Sequence, residues 1–154
     1  MLGLLDTGPV AWDVAVAELR FELTRGAEAA GLALSLTVEG SAAWLTRPAC
    51  HALQRAAREA LTNTIRHAGA RRVTCTVRAR AGAVKVWIAD DGRGLQQSRS
   101  GRGLAIMRRR VEQLGGTARV ENGPDGGVEV EVAIPIAGTR PMDMGGHFPA
   151  AQVS

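Results

Sequence analysis

The chain has 154 residues, 45% hydrophobic and 22% charged, proportions that build a packed core and exclude a disordered, collagen-like or rod-forming chain. Its length fits one domain rather than two. The net charge of +4, carried by eighteen arginines against the single lysine Lys85, admits nucleic acid, phosphate or an acidic partner without choosing among them.

Cys50 and Cys75 lie 25 positions apart and show no metal-ligand spacing to another Cys or His, so neither a zinc site nor a disulfide framework is expected, and a reduced intracellular setting is the default. No basic residue precedes Arg20, and no apolar run approaches the roughly 18 residues of a membrane span. Neither a signal peptide nor a membrane segment is read, and a cytoplasmic location is expected.

Residues 10–30 avoid proline and are rich in Ala, Leu and Glu, with Val14, Ala17 and Phe21 spaced to share a helix face and Gly31 as a stop. Leu32, Leu34, Leu36 and Val38 then alternate as a half-buried strand does. Pro48 opens a second helix running to Ala68, with Leu53, Ala57, Ala60, Leu61, Ile65 and Ala68 on one side. Val73, Cys75, Val77 and Ala79 alternate with Arg72, Thr74, Thr76 and Arg78, and after Ala81-Gly82 the alternation resumes with Val84, Val86 and Ile88. This pair reads as an antiparallel hairpin.

Leu104, Met107, Val111 and Leu114 mark a third helix, ended by Gly115-Gly116. Two strands follow, one at Ala118 and Val120, the other along Val128, Val130, Val132, Ile134 and Ile136. The expected architecture is an α/β two-layer sandwich: a mixed, mostly antiparallel sheet with three helices on one face. Residues 1–9 read as a lead-in, 10–137 as the domain, and 138–154 as a flexible tail.

On the second helix, Glu59, Asn63 and His67 follow one another at steps of four and form a polar stripe flanked by Arg55 and Arg66. Such a stripe is either a solvated face or a water-activating base beside a magnesium ligand. Asp90 continues the inward face of Val84, Val86 and Ile88. Either it is aimed at the core layer and needs a donor, or the strand stops short and Asp90 opens a turn. Gly92 and Gly94 punctuate the turn after it, and Gly101-Arg102-Gly103 opens the third helix. Paired glycines and a helix N-terminus suit an approaching phosphate, with Arg99 and Arg102 adding charge.

Arg58-Glu59-Ala60-Leu61-Thr62-Asn63 with His67-Ala68 resembles the N box of sensor histidine kinases. Asp90-Asp91-Gly92-Arg93-Gly94 resembles their first glycine box, and Gly101-Arg102-Gly103-Leu104 with Met107, Arg110 and Leu114-Gly115-Gly116 resembles the second. The resemblance covers residues 19–136 and is nearest to the catalytic ATP-binding domain of the nitrate- and antibiotic-sensor subgroup, within the superfamily of gyrase, heat-shock chaperone, histidine kinase and mismatch-repair ATPases. It implies that Asn63 ligates a Mg²⁺ bridging the ATP phosphates and that Glu59 is the base or polarising group. It further implies that Asp90 accepts from the adenine amino group and that Gly92 and Gly94 leave room for the base. Gly101 and Gly103 would bring the lid backbone to the phosphates, with Arg66, His67, Arg102 and Leu104 as further ATP contacts.

Three features depart from the family pattern. Gly127 is followed by Val128, where the family has Gly-Thr; residues 95–100 form a short lid; and none of His51, His67 and His147 lies in a phosphoacceptor box. The expected function is therefore the ATP-binding catalytic domain of a two-component kinase, transferring the γ-phosphoryl to a histidine supplied in trans by a phosphoacceptor and dimerisation domain, with a response regulator downstream. The alternatives are a Ser/Thr regulatory kinase of the anti-sigma type, or a non-catalytic nucleotide or nucleic-acid binding module using Arg71, Arg72, Arg78, Arg80 and Arg108-Arg109-Arg110. With aromatics at 3%, single-strand stacking platforms are few, and nucleic acid is not the expected partner.

Overall fold

The computed structural model of the chain describes residues 8–94, 102–124 and 126–136. In chain order the elements are β1 (Val10–Ala11), α1 (Trp12–Ala30), β2 (Ala33–Glu39), β3 (Trp44–Leu45) and α2 (Arg47–Asn63), which continues into a π-helical turn at Thr64–Ala68. Then come β4 (Arg72–Arg80), β5 (Ala83–Asp90), α3 (Arg102–Gln113), β6 (Thr117–Asn122) and β7 (Val128–Pro135).

Five strands form one sheet in the order β2-β4-β5-β7-β6, with β2 parallel to β4 and the other neighbours antiparallel. The mixed, mostly antiparallel sheet of the expectation is what forms. Its alternation decides which side is covered: Val73, Cys75, Val77, Val84, Val86, Ile88, Val130, Val132 and Ile134 are buried with residues of all three helices in one core. The other face carries Arg78, Trp87, Arg119 and Glu131. The short antiparallel ribbon of β1 with β3 was not expected, because two-residue strands leave no periodicity to read.

α2 begins as its sequence predicts. Thr46 caps it by accepting the Ala49 N–H at 3.2 Å, and Pro48 sits in the first turn, where a missing N–H costs nothing. Its inner face is mostly alanine, with Ala56 and Ala57 fully buried, which lets the helix lie close on the sheet. That closeness brings the end of α2 to the end of β5.

In α1, Val14, Ala17 and Phe21 do share a face, but it is the exposed one, Phe21 being 61% exposed. The core takes Trp12, Ala15, Leu19, Leu23 and Ala27 instead. The helix carries two apolar stripes, and the one with the larger leucine content buries more surface. Ile65, expected inside, is 47% exposed; it lies at the edge of the α2 stripe, where the π turn has begun. Residues 138–154, expected as a tail, lie outside the described residues, as do residue 137 and residues 1–7 of the lead-in.

Both thiols are buried. Burial pushes the Cys75 thiol up to about 12, and burial together with the nearby Glu18 carboxylate raises that of Cys50. Neither is built for nucleophilic chemistry.

Candidate functional site

β5 runs to Asp90, and its pleat aims the Asp90 side chain at the helix layer. The carboxylate is held from three directions. Its Oδ1 accepts the N–H groups of Gly92 at 2.9 Å and Val128 at 3.2 Å, and its Oδ2 accepts the Thr64 hydroxyl at 2.8 Å. Of the alternatives left open by the sequence the first holds: the strand does not stop short, Asp90 points inward, and its donors come from the protein, the N–H of the following turn among them. Three hydrogen bonds offset the desolvation of a half-buried carboxylate.

Asp91 has a different task. Its Oδ1 accepts the N–H groups of Arg71 at 2.8 Å and Arg72 at 3.0 Å, tying the glycine turn to the start of β4. The Arg72 and Arg71 N–H groups hold its carboxyl below the usual carboxylate range. Gly94, three residues on, has φ +95°, and a Cβ there would meet Asn122 Oδ1 at 2.9 Å. Its conformation and its neighbour both call for glycine, and that neighbour is the end of β6.

Glu59 and Asn63 stand one turn apart on α2. The Asn63 side chain donates Nδ2–H to the Glu59 carbonyl at 3.1 Å, so the amide is oriented with Oδ1 as its remaining acceptor. A hard cation takes oxygen donors of this kind. The Glu59 carboxylate packs on Gly103 in the first turn of α3, so closely that a Cβ at Gly103 would collide with Glu59 Oε1. A helix N-terminus favours a carboxylate there.

Gly103→Ala tests this contact. The colliding atoms are the end of a flexible side chain, and alanine is a better helix former than glycine by up to ~1 kcal/mol. The denaturation midpoint is expected to hold or rise, while the Glu59 carboxylate is displaced and any reaction depending on it slows. A midpoint that falls sharply would mean that Glu59 cannot move and that the contact is structural.

The structure thus brings together Glu59, Asn63, Asp90, Gly92, Gly94 and Gly103, where α2, β5 and α3 converge. Arg66 and Arg102 are exposed at the margin. Leu104, expected at the nucleotide, is 9% exposed and belongs to the hydrophobic core with Met107 and Val111, because its helical phase matches theirs. Gly101, residues 95–100 with Arg99 among them, and the side chain of His67 lie outside the described residues. Arg58 of the N-box stretch pairs with Glu22 of α1 at 3.0 Å, an exposed contact of little energetic weight.

Sequence reasoning missed Thr64. It lies seven residues after Ala57, four after Ala60 and three after Leu61, in the middle of the apolar stripe of α2. A hydroxyl placed there must find a partner inside the protein, and that partner is the carboxylate singled out on β5.

This constellation defines an α/β sandwich with an oxygen-rich site between a helix pair and the end of a strand. The family described as histidine kinase-, DNA gyrase B- and HSP90-like ATPase matches residues 50–138, and the chain belongs to it. It is similar to the sensor histidine kinase LnrJ of Bacillus subtilis, 31% identical over 111 residues covering 72% of this chain and 28% of that protein. It is also similar to the nitrate/nitrite sensor protein NarX of Escherichia coli K12, 41% identical over 87 residues covering 54% of this chain and 14% of that protein. Among solved structures, the ATP-binding domain of PrrB from Mycobacterium tuberculosis superposes with a TM-score of 0.64 at 26% identity, covering 85% of this chain and 98% of that one. The chain therefore spans less than a third of either full-length sensor and nearly all of an isolated ATP-binding domain. Within its family it is the catalytic ATP-binding domain of the sensor histidine kinase type. Among the described residues, no helix is long and apolar enough to cross a membrane.

Proposed function

We propose that this domain binds MgATP and transfers the γ-phosphoryl to a histidine presented by a separate phosphoacceptor and dimerisation domain, from which a response regulator takes it. The observation that carries the reading is the pinned Asp90 carboxylate beside the Glu59–Asn63 pair. One feature suits an adenine amino group; the other suits a metal-bound polyphosphate and a nucleophile that must lose a proton.

Asp90 accepts from the exocyclic amine of adenine, and Asn63 Oδ1 is the oxygen that would hold Mg²⁺. When bound, the cation neutralises phosphate charge. Glu59, against the first turn of α3, is placed to accept the proton of the attacking imidazole. Arg66, Arg102 and the N-terminus of α3 supply positive charge for the phosphates. Phosphoryl transfer asks little covalent chemistry of a protein and depends on such positioning and charge.

The sensor-kinase relatives favour this reading over a Ser/Thr kinase. The basic sheet face does not favour nucleic acid, because acids are interleaved with its bases. Arg78 pairs with Glu39 at 2.7 Å and lies over the Trp87 ring, Lys85 pairs with Glu131 at 3.1 Å, and Arg119 reaches the same Glu131 at 3.0 Å.

A fluorescent-ATP titration with and without Mg²⁺ tests the site. Mg²⁺ is expected to tighten binding by the unmodified chain, and Asn63→Ala to remove most of that increment, on the order of tenfold or more. No binding by the unmodified chain, or an equal Mg²⁺ increment in Asn63→Ala, would sink the assignment. Labelled ATP with a phosphoacceptor domain then tests transfer, and acid-labile product identifies phosphohistidine.

A further inference from the structure

We infer that Thr64 is a positioning residue that sets nucleotide base selectivity by fixing the orientation of the Asp90 carboxylate. The inference rests on the proposed role of Asp90 as the adenine acceptor.

Thr64 is 3% exposed and is the first residue of the π turn that follows Asn63. Turns of this type inside or at the end of an α-helix commonly mark functional positions. Two acceptors lie within reach of its Oγ1, Asp90 Oδ2 at 2.8 Å and the Ala60 carbonyl at 3.0 Å. A hydroxyl has a single proton to donate. The Ala60 carbonyl already receives the Thr64 backbone N–H, and a carboxylate is the stronger acceptor, so the proton goes to Asp90.

The consequence concerns which oxygen meets a ligand. Oδ1 already accepts two backbone N–H groups, from Gly92 and Val128. An incoming donor is therefore met by Oδ2, the oxygen that Thr64 holds. Val128 gives Asp90 its N–H and has no hydroxyl in its side chain, so Thr64 brings a hydroxyl to this carboxylate from the helix layer.

Held this way, the carboxylate presents one acceptor at one angle. Adenine offers an amino donor at C6, whereas guanine offers a carbonyl there and is repelled. Guanine also has donors at N1 and its 2-amino group, which a carboxylate anchored through Oδ1 alone can swing its Oδ2 to meet. Removing the Thr64 hydroxyl therefore costs ATP affinity and relaxes discrimination against GTP.

Calorimetric titration of ATP and of GTP, with Mg²⁺, into the unmodified chain, Thr64→Val and Thr64→Ser tests this, with a thermal melt of each protein. Thr64→Val is expected to weaken ATP about tenfold or more and to narrow the ATP-to-GTP ratio by a similar factor, while Thr64→Ser stays within about threefold in both. Thr64→Ala gives the same comparison should Thr64→Val not fold. An ATP affinity and ratio unchanged in Thr64→Val, or Thr64→Ser behaving like it, would overturn the role of Thr64 and leave the ATP site standing. Failure of the unmodified chain to bind ATP would overturn both.

Discussion

Asp90→Asn is expected to lower ATP affinity on the order of a hundredfold, from the loss of about 2–3 kcal/mol of charge-assisted hydrogen bonding. The shape of the side chain is kept and its hydrogen-bond polarity is not. Gly92 and Val128 present N–H groups, so the amide oxygen takes the Oδ1 position. The NH₂ group then faces both the Thr64 hydroxyl and the incoming adenine amine, a meeting of donors. Thr64 can turn its proton to the Ala60 carbonyl, 3.0 Å away, which preserves the fold but leaves adenine without its acceptor. Isothermal titration together with a melting curve separates the two effects. ATP affinity within threefold of the unmodified chain would remove Asp90 from the site.

Glu59→Gln is expected to slow phosphoryl transfer to a phosphoacceptor domain by roughly 10²–10⁴-fold, the range for loss of a general base, with nucleotide affinity nearly unchanged. Glutamine is close enough in shape to keep the packing against Gly103 and the backbone contact from Asn63 to the Glu59 carbonyl. What it lacks is a group able to accept the imidazole proton. Single-turnover transfer at saturating MgATP reads this step, and an unchanged rate would show that Glu59 positions without taking the proton. Taken with Asn63→Ala, which acts on the metal-dependent part of binding, the two α2 variants divide binding from chemistry.

Much of the site was legible because helix and strand periods are local. Steps of four put Glu59 and Asn63 on one stripe, and steps of two put Asp90 on the inward face of β5. Both placements hold. Leu104 shows the limit of reading a motif by adjacency: it stands beside Gly103, which touches Glu59, yet its own phase sends it into the core. Thr64 shows the converse, since its position in the α2 stripe announced a buried hydroxyl and nothing nearby in sequence named its partner, 26 positions away.

By itself the sequence determined the two-layer sandwich, the strand faces, the start of α2 and the shared stripe of Glu59 and Asn63, because each follows from periodicity, capping or turn chemistry within a few residues. Tertiary structure alone decided which apolar stripe of α1 faces inward, the sheet order β2-β4-β5-β7-β6, the docking of Gly103 on Glu59, and the choice of Thr64 as the hydroxyl that holds Asp90. Those outcomes depend on which faces compete for the same buried surface and on which distant segments meet. A local period says which residues share a face; only packing says what that face touches.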